Sequence, residues 1–178
     1  MIIVREMKLE ESALLSQIDR SEYIGKIYRQ TASGVEESEA GHECGTWDEA
    51  SLQKLKQRYE EELQAGGKAF GAFEDGLLVG FGVLAHKFRG KDRDRLQLDL
   101  MYVTRSHRRM GLGRRIMDEI KKEAVRRGAR YLYISSTETE SAVHFYRHSG
   151  SVPADEIDQE LFALEPEDIH MVLKLDDV

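Results

Sequence analysis

The spacing of apolar residues divides the chain into short, distinct elements. Ile2 to Met7 reads as a first strand, after which Leu9, Ala13, Leu14 and Ile18 recur at helical spacing. Tyr23, Ile24, Ile27 and Tyr28 fit either a helix or a hairpin, and Thr31 to Gly45, rich in Ser, Gly and Glu, reads as an exposed loop. From Trp47 onward Leu52, Leu55, Tyr59 and Leu63 form a helical stripe that Gly66 and Gly67 end. Ala69 to Glu74 and Leu77 to Lys87 are apolar runs joined by Asp75-Gly76, a dipeptide suited to a two-residue hairpin because both turn positions need positive φ.

After a polar loop from Phe88 to Asp94, Leu96 to Thr104 is a further strand. Leu112, Ile116, Met117, Ile120 and Ala124 then mark one face of a helix that ends near Gly128. Tyr131 to Ser135 is apolar on both faces, as expected of a strand covered on both sides. Ala142, Phe145 and Tyr146 predict a short helix, and Ile169 to Leu175 a final strand. The order is mixed α+β, with one strand, helix, strand unit near residues 96 to 135 that should cross over right-handed and parallel. A length of 178 residues fits one domain, taken as residues 1–178.

Composition adds limits rather than chemistry. With 40% hydrophobic and 33% charged residues the chain is an ordinary globular protein. Its longest apolar stretch, around Leu77 to Ala85, is less than half of what spans a bilayer, and the first residues lack a signal-peptide pattern. A cytoplasmic location without a membrane partner is expected. The single Cys44 can form neither an internal disulfide nor a thiolate cluster.

Charge is more telling. The net charge of -7 conceals fifteen Lys or Arg against six Asp or Glu between Lys87 and Arg130. A polyanionic cofactor or a nucleic acid would both suit that basic stretch, but the strongly acidic remainder argues against a general nucleic-acid binder. Within it, the turn from strand to helix reads Arg108-Arg109-Met110-Gly111-Leu112-Gly113-Arg114-Arg115. A glycine-bearing turn that opens a helix leaves several N–H groups without helical acceptors, which together with the helix dipole make a phosphate site. No lysine and hydroxyl pair follows Gly113, so this is not a P-loop; Ile116 stands where a dinucleotide fingerprint needs a third glycine.

Leu98 to Gly128 resembles motif A of the GCN5-related N-acetyltransferases (GNAT), whose pattern is Arg/Gln-x-x-Gly-x-Gly/Ala. Tyr131 to Gly150 resembles motif B, Asn-x-x-Ala-x-x-x-Tyr-x-x-x-Gly-Phe, with Ala142, Tyr146 and Gly150 in register. Thr139 stands at the usual asparagine position and Ser151 at the usual aromatic one. The similarity covers roughly residues 69 to 150. It implies a central, twisted, mostly antiparallel mixed sheet of about six to seven strands flanked by about four helices, and acetyl-CoA as the acetyl donor. Carried over position by position, Arg108, Arg109, Met110, Gly111, Leu112, Gly113 and Arg114 would hold the pyrophosphate. Met101 and Val103 would pair with the pantetheine amides, Thr139 would touch the coenzyme arm, and Tyr146 would be the general acid.

Acetyl transfer needs a neutral amine, and a lysine-like amine of pKa roughly 10.4 is protonated at neutral pH, so a base is expected. Some family members carry a glutamate where Gln97 stands. Gln97 cannot serve, and Asp99, two residues along the strand and expected on the same face as Met101 and Val103, becomes the candidate base, directly or through water. A backbone N–H near Leu100 or Met101 would stabilise the developing oxyanion. His144 and His148 have zinc-like spacing but no third ligand, so no metal is expected. Glu138, Glu140 and the acidic stretches Glu36 to Glu43 and Asp155 to Glu160 would suit a cationic acceptor. That acceptor is a small-molecule, peptide or protein amine, with residues 20 to 47 setting its specificity. A coenzyme-binding module without turnover is the alternative, and a homodimer the default assembly.

Overall fold

Strands and helices appear where the apolar spacing changes period. In a computed structural model, which describes residues 1–176, the strands are β1 (Ile2–Met7), β2 (Glu22–Thr31), β3 (Gly34–Cys44), β4 (Lys68–Glu74), β5 (Leu77–Arg89), β6 (Arg95–Val103), β7 (Tyr131–Ser136), β8 (Val152–Pro153) and β9 (Ile169–Lys174). The helices are α1 (Glu49–Gln64), α2 (Leu112–Arg126), α3 (Glu140–His148) and α4 (Gln159–Leu164), with 3-10 turns at Leu9–Gln17 and Arg105–His107. Seven strands form a mostly antiparallel sheet in the order β1-β4-β5-β6-β7-β9-β8 that includes a parallel pair, and β2 and β3 form a second, two-stranded sheet. This is the mixed α+β architecture expected. Two local readings change. Leu9 to Gln17 winds as a 3-10 helix, and Thr31 to Gly45 is a hairpin arm rather than a loop.

The chain groups into two compact units, and the first comprises Met1–Glu22, Gly45–Lys87 and Leu98–Glu123. Its hairpin turn has φ of 49° at Asp75 and 82° at Gly76, the positive pair that a two-residue connection demands. β1 extends β4 antiparallel, from Ile2 opposite Glu74 to Met7 opposite Ala69. On one side of these strands Leu15, Ile18, Leu55, Tyr59 and Phe81 form the core, and the Tyr59 hydroxyl donates to the Lys8 carbonyl at 2.8 Å. α1 starts at Asp48, whose carboxylate caps the Ser51 N–H at 2.7 Å.

α2 lies against glycines on β5. A Cβ at Gly82 would come within 2.7 Å of Ile120 Cδ1, and one at Gly80 within 3.1 Å of Ile116 Cδ1. Their absence lets the helix approach the strand. Gly67 is tighter still against main chain, since its Cβ would lie 2.8 Å from the Leu84 carbonyl oxygen and 2.9 Å from that of Glu62. Backbone cannot yield as a side chain can. Gly67→Ala is therefore expected to cost about 1–3 kcal/mol, measured by urea unfolding, whereas an unchanged midpoint would show that the strand shifts freely.

The second unit comprises Tyr23–Cys44, Phe88–Gln97 and the chain from Ala124 on. β7 and β9 pair antiparallel from Tyr131 opposite Lys174 to Ser136 opposite Ile169, and β8 adds Val152 opposite Val172. The β2–β3 hairpin is fastened to the turn between β7 and α3 through main chain: Tyr28 N–H donates to the Glu138 carbonyl at 2.7 Å, and Ile27 bridges Thr139. Arg89 and Arg95, both buried, bind the carboxylates of the segment before and within α4. Arg89 pairs with Asp158 at 2.9 Å and Glu160 at 3.3 Å, and Arg95 with Asp155 at 2.9 Å. The acidic stretch Asp155 to Glu160 is thus engaged internally.

His170 on β9 is 1% exposed, and its Nδ1 lies 2.6 Å from the Tyr133 hydroxyl. The same hydroxyl oxygen accepts the Asp158 N–H at 2.9 Å. Burial pushes the His170 pKa below its ordinary 6.5. Protonation is then easier in the unfolded chain, so the stabilisation is complete above about pH 6.5 and is lost as pH falls toward the lowered value. Urea unfolding between pH 7 and pH 5 should show this decline, and His170→Phe should flatten it.

Candidate active site

In the first unit, β6 delivers the chain to a tightly held turn. Thr104 is buried, with its N–H on the Val79 carbonyl at 2.8 Å and its Oγ1 accepting the Asp19 N–H at 2.9 Å. The 3-10 turn follows, and His107 Nε2 meets Glu74 Oε2 at 2.5 Å. Arg109 then has φ of 63° and Gly111 of 79°. These left-handed values turn successive N–H groups toward one side, a geometry that favours glycine at 111. The Arg115 N–H bonds to the Gly111 carbonyl at 3.1 Å, opening α2. The N–H groups of Leu112, Gly113 and Arg114 precede that bond and have no helical acceptor. Above Gly111 the space is open, with no atom within 4 Å of where a Cβ would stand. Leu112, only 2% exposed, and Ile116 anchor the helix from beneath.

The four arginines divide between two tasks. Arg108 turns inward: Nε donates to the Val103 carbonyl at 3.0 Å and Nη1 to that of Ser21 at 2.8 Å. Arg115 donates to the Ile2 carbonyl at 3.2 Å. Both brace the turn. Arg109 and Arg114 are exposed and, among the described residues, make no side-chain bond or ion pair. They are the available cations beside the unpaired N–H groups. Met110 stands 56% exposed at the tip, and Met101 and Val103 are half-buried on β6.

Asp99 occupies a setting that spacing did not foretell. Its carboxylate is gripped by Arg58 of α1, with Nε at 3.2 Å from both oxygens and Nη2 closer still to Oδ1. Val103 Cγ2 lies 3.5 Å from where a Cβ on Gly80 would stand, a position that Ile116 Cδ1 of α2 approaches to 3.1 Å. The Asp99 side chain is 7% exposed and that of Arg58 49%. Arg58 lies beside the buried stripe of Leu55 and Tyr59 but carries no sequence signal linking it to Asp99.

In the second unit Thr139 occupies the N-cap position of α3, where its hydroxyl makes no cap bond and instead reaches Thr137 Oγ1 at 3.3 Å. Tyr146 is buried on α3 with its ring against Phe145, and Gly150 closes the helix with φ of 97°. His144 bonds the Tyr28 hydroxyl of β2 at 2.9 Å, and His148 Nδ1 donates to the His144 carbonyl at 2.8 Å. Among the described residues no three His, Cys, Asp or Glu side chains group as metal ligands. Burial, reinforced by Glu37 and Glu140, pushes the Tyr28 phenol above its ordinary pKa. Tyr28 carried no motif signal, and His144 stood out in the sequence only for its spacing from His148.

A family model described as the acetyltransferase (GNAT) family matches residues 32–150, two-thirds of the chain. The chain belongs to the GNAT family. The fold of this GNAT protein is similar to that of nourseothricin acetyltransferase, with 21% identity, TM-score 0.71, and 98% of this chain and 99% of the other covered. It is also similar to a candidate streptothricin acetyltransferase from Bacillus anthracis str. Ames in complex with acetyl coenzyme A (18%, TM-score 0.69, 99% of each chain). A third is the PaiA N-acetyltransferase of Thermoplasma acidophilum in complex with coenzyme A (17%, TM-score 0.63, 98% and 99%). No curated protein matches the chain in sequence. No helix among the described residues is long and apolar enough to cross a membrane.

Proposed function

We propose that this GNAT protein, acting as a single catalytic domain, transfers the acetyl group of acetyl-CoA to a primary amine by direct attack. The observation that carries the reading is the turn at Arg108 to Arg114. Three N–H groups without helical acceptors, open space over Gly111 and the two uncommitted cations Arg109 and Arg114 fit a pyrophosphate. Arg108 contributes from behind, by holding the turn to the end of β6. The strand backbone at Met101 and Val103 is assigned to the pantetheine amides, and Thr139 to the coenzyme arm, from their motif positions.

In this scheme the acceptor amine gives up a proton, with Asp99 as the base, and attacks the thioester carbonyl. A β6 backbone N–H near Leu100 or Met101 steadies the oxyanion; the Tyr146 phenol gives a proton to the leaving thiolate and regains one, through water, from the newly acetylated nitrogen. The role of Tyr146 rests on its register in motif B. The acceptor is a small-molecule or peptide amine. The names of two fold neighbours, a nourseothricin and a streptothricin acetyltransferase, support the former.

Acetyl-CoA at about 100 times its Kd should stabilise the protein by about 2.7 kcal/mol, seen as a rise in melting temperature, and a panel of amines should then release free CoA. No melting shift with either CoA or acetyl-CoA would remove the donor assignment. A shift without turnover on any amine would favour a coenzyme-binding module.

A further inference from the structure

A buried carboxylate must be paired, and among the described residues Asp99 has one partner. Among the described residues the Arg58 guanidinium is the only group that bonds its carboxylate, and Arg58 Nη2 also reaches the Asp99 carbonyl at 3.4 Å. The two ends of this pair differ sharply in freedom. Asp99 is fixed on β6 and shielded, whereas Arg58 is half-exposed on α1 at the end of a long, flexible stem. If the guanidinium swings into solvent, an unpaired carboxylate is left in a desolvated place, where another cation is favoured in its stead.

Among the described residues no other charged group bonds the Asp99 carboxylate. On α1, Glu61 is bonded by Gln57, Glu62 is held by His86, and Lys54 acts on Asp48. On β5, Val83, Leu84 and Ala85, which follow the Gly82 that meets the Leu100 carbonyl, are apolar and buried. On β6, Gln97 is neutral. The titratable Tyr59 and Tyr102 are turned to the Lys8 carbonyl and the Trp47 ring.

We propose that Arg58 is a positioning residue, a placeholder cation that keeps the Asp99 carboxylate paired and aimed until a cationic acceptor amine replaces it. The inference builds on the acetyltransferase reading and specifies its acceptor as one that arrives as an ammonium ion. While Arg58 is in place, its guanidinium occupies the carboxylate oxygens that an ammonium ion would have to meet. Once the ammonium has displaced the guanidinium, one of its N–H protons passes to an Asp99 oxygen. The amine is left neutral with its lone pair free, and Asp99 neutral as the acid. After the product leaves, that proton passes to water and Arg58 closes again. The exchange couples arrival of a protonated amine to exposure of its base.

The test uses the whole protein, with ethylammonium chloride as the probe and sodium chloride at equal concentration as control. In the wild type, the Arg58 Nε–H resonance should lose its hydrogen-bonded position as ethylammonium is added, and sodium chloride should leave it in place. The Asp99 carboxyl, labelled with carbon-13 and assigned through Asp99→Asn, should resonate at a different position in Arg58→Gln from that in the wild type. Arg58→Lys should restore most of the difference, and ethylammonium should bind Arg58→Gln several-fold more tightly. An Arg58 resonance that ethylammonium leaves in place, or that sodium chloride moves equally, would overturn the proposal. So would an Asp99 carboxyl resonance unchanged in Arg58→Gln. Should Arg58→Gln not fold, the wild-type resonance and Arg58→Lys decide the matter. These readouts need no acetyl-CoA, so the absence of a coenzyme melting shift would strike the donor assignment alone.

Discussion

Replacing Tyr146 with phenylalanine is expected to lower kcat by about 10²- to 10⁴-fold, the contribution of a positioned acid, while the melting shift produced by acetyl-CoA stays as in the wild type. The separation arises because the pyrophosphate contacts proposed at Arg109 to Arg114 do not involve the phenol. Tyr146 is buried on a helix whose backbone is tied at its end by Ser151 N–H to the Tyr146 carbonyl at 3.0 Å, so loss of one hydroxyl should leave α3 in place. Steady-state turnover on the best amine, beside thermal unfolding with and without acetyl-CoA, measures both quantities. A variant with wild-type kcat would show that the leaving thiolate takes its proton elsewhere.

The largest effect on stability should come from Arg89→Met. Arg89 is buried, and the Asp158 oxygen it binds also caps α4 by accepting the Leu161 N–H at 3.0 Å. Methionine keeps most of the stem volume but removes the positive charge, leaving Asp158 shielded and without its ion-pair partner. Breaking a pair from one side in this way costs about 3–5 kcal/mol, and the lower end is expected because Asp158 keeps some contact with water. Urea unfolding gives the total. Faster hydrogen exchange in the α4 amides would locate it. A loss below about 1 kcal/mol would mean that α4 is held mainly by Leu161 in its apolar cluster.

The elements most legible in the sequence were those whose signal is local. Asp75-Gly76 specified its turn because few residues tolerate two positive φ values in succession, and the turn at Gly111 was readable for the same reason. The stripe on α2 could be read because one face packs on β5 throughout. The hairpin of β2 and β3 was not legible. β3 is polar and largely exposed, so alternation is absent, and what orders the pair is a main-chain bond from Tyr28 to Glu138, 110 residues on. Leu9 to Gln17 shows apolar spacing close to that of an α-helix, which does not by itself separate a 3-10 from an α winding.

The candidate site divides in a similar way. The phosphate-type turn is a contiguous motif and was visible whole, but which arginines were free to meet a ligand depended on carbonyls at Ile2, Ser21 and Val103. The partner of Asp99 lies 41 residues earlier on another element, and nothing local to either residue announces it. Burial of a carboxylate does imply that a cation must be near. It does not say which one.

The attachment of the β2–β3 hairpin has an evolutionary and engineering consequence. Tyr28 N–H and the Ile27–Thr139 bridge use peptide groups, which every residue except proline can supply in full. Side chains on the hairpin can therefore be exchanged without undoing this anchorage. A hairpin of the same register taken from another member of the family should dock on the same backbone edge, so recognition can be rewritten by transplanting one segment while the rest of the chain is left untouched.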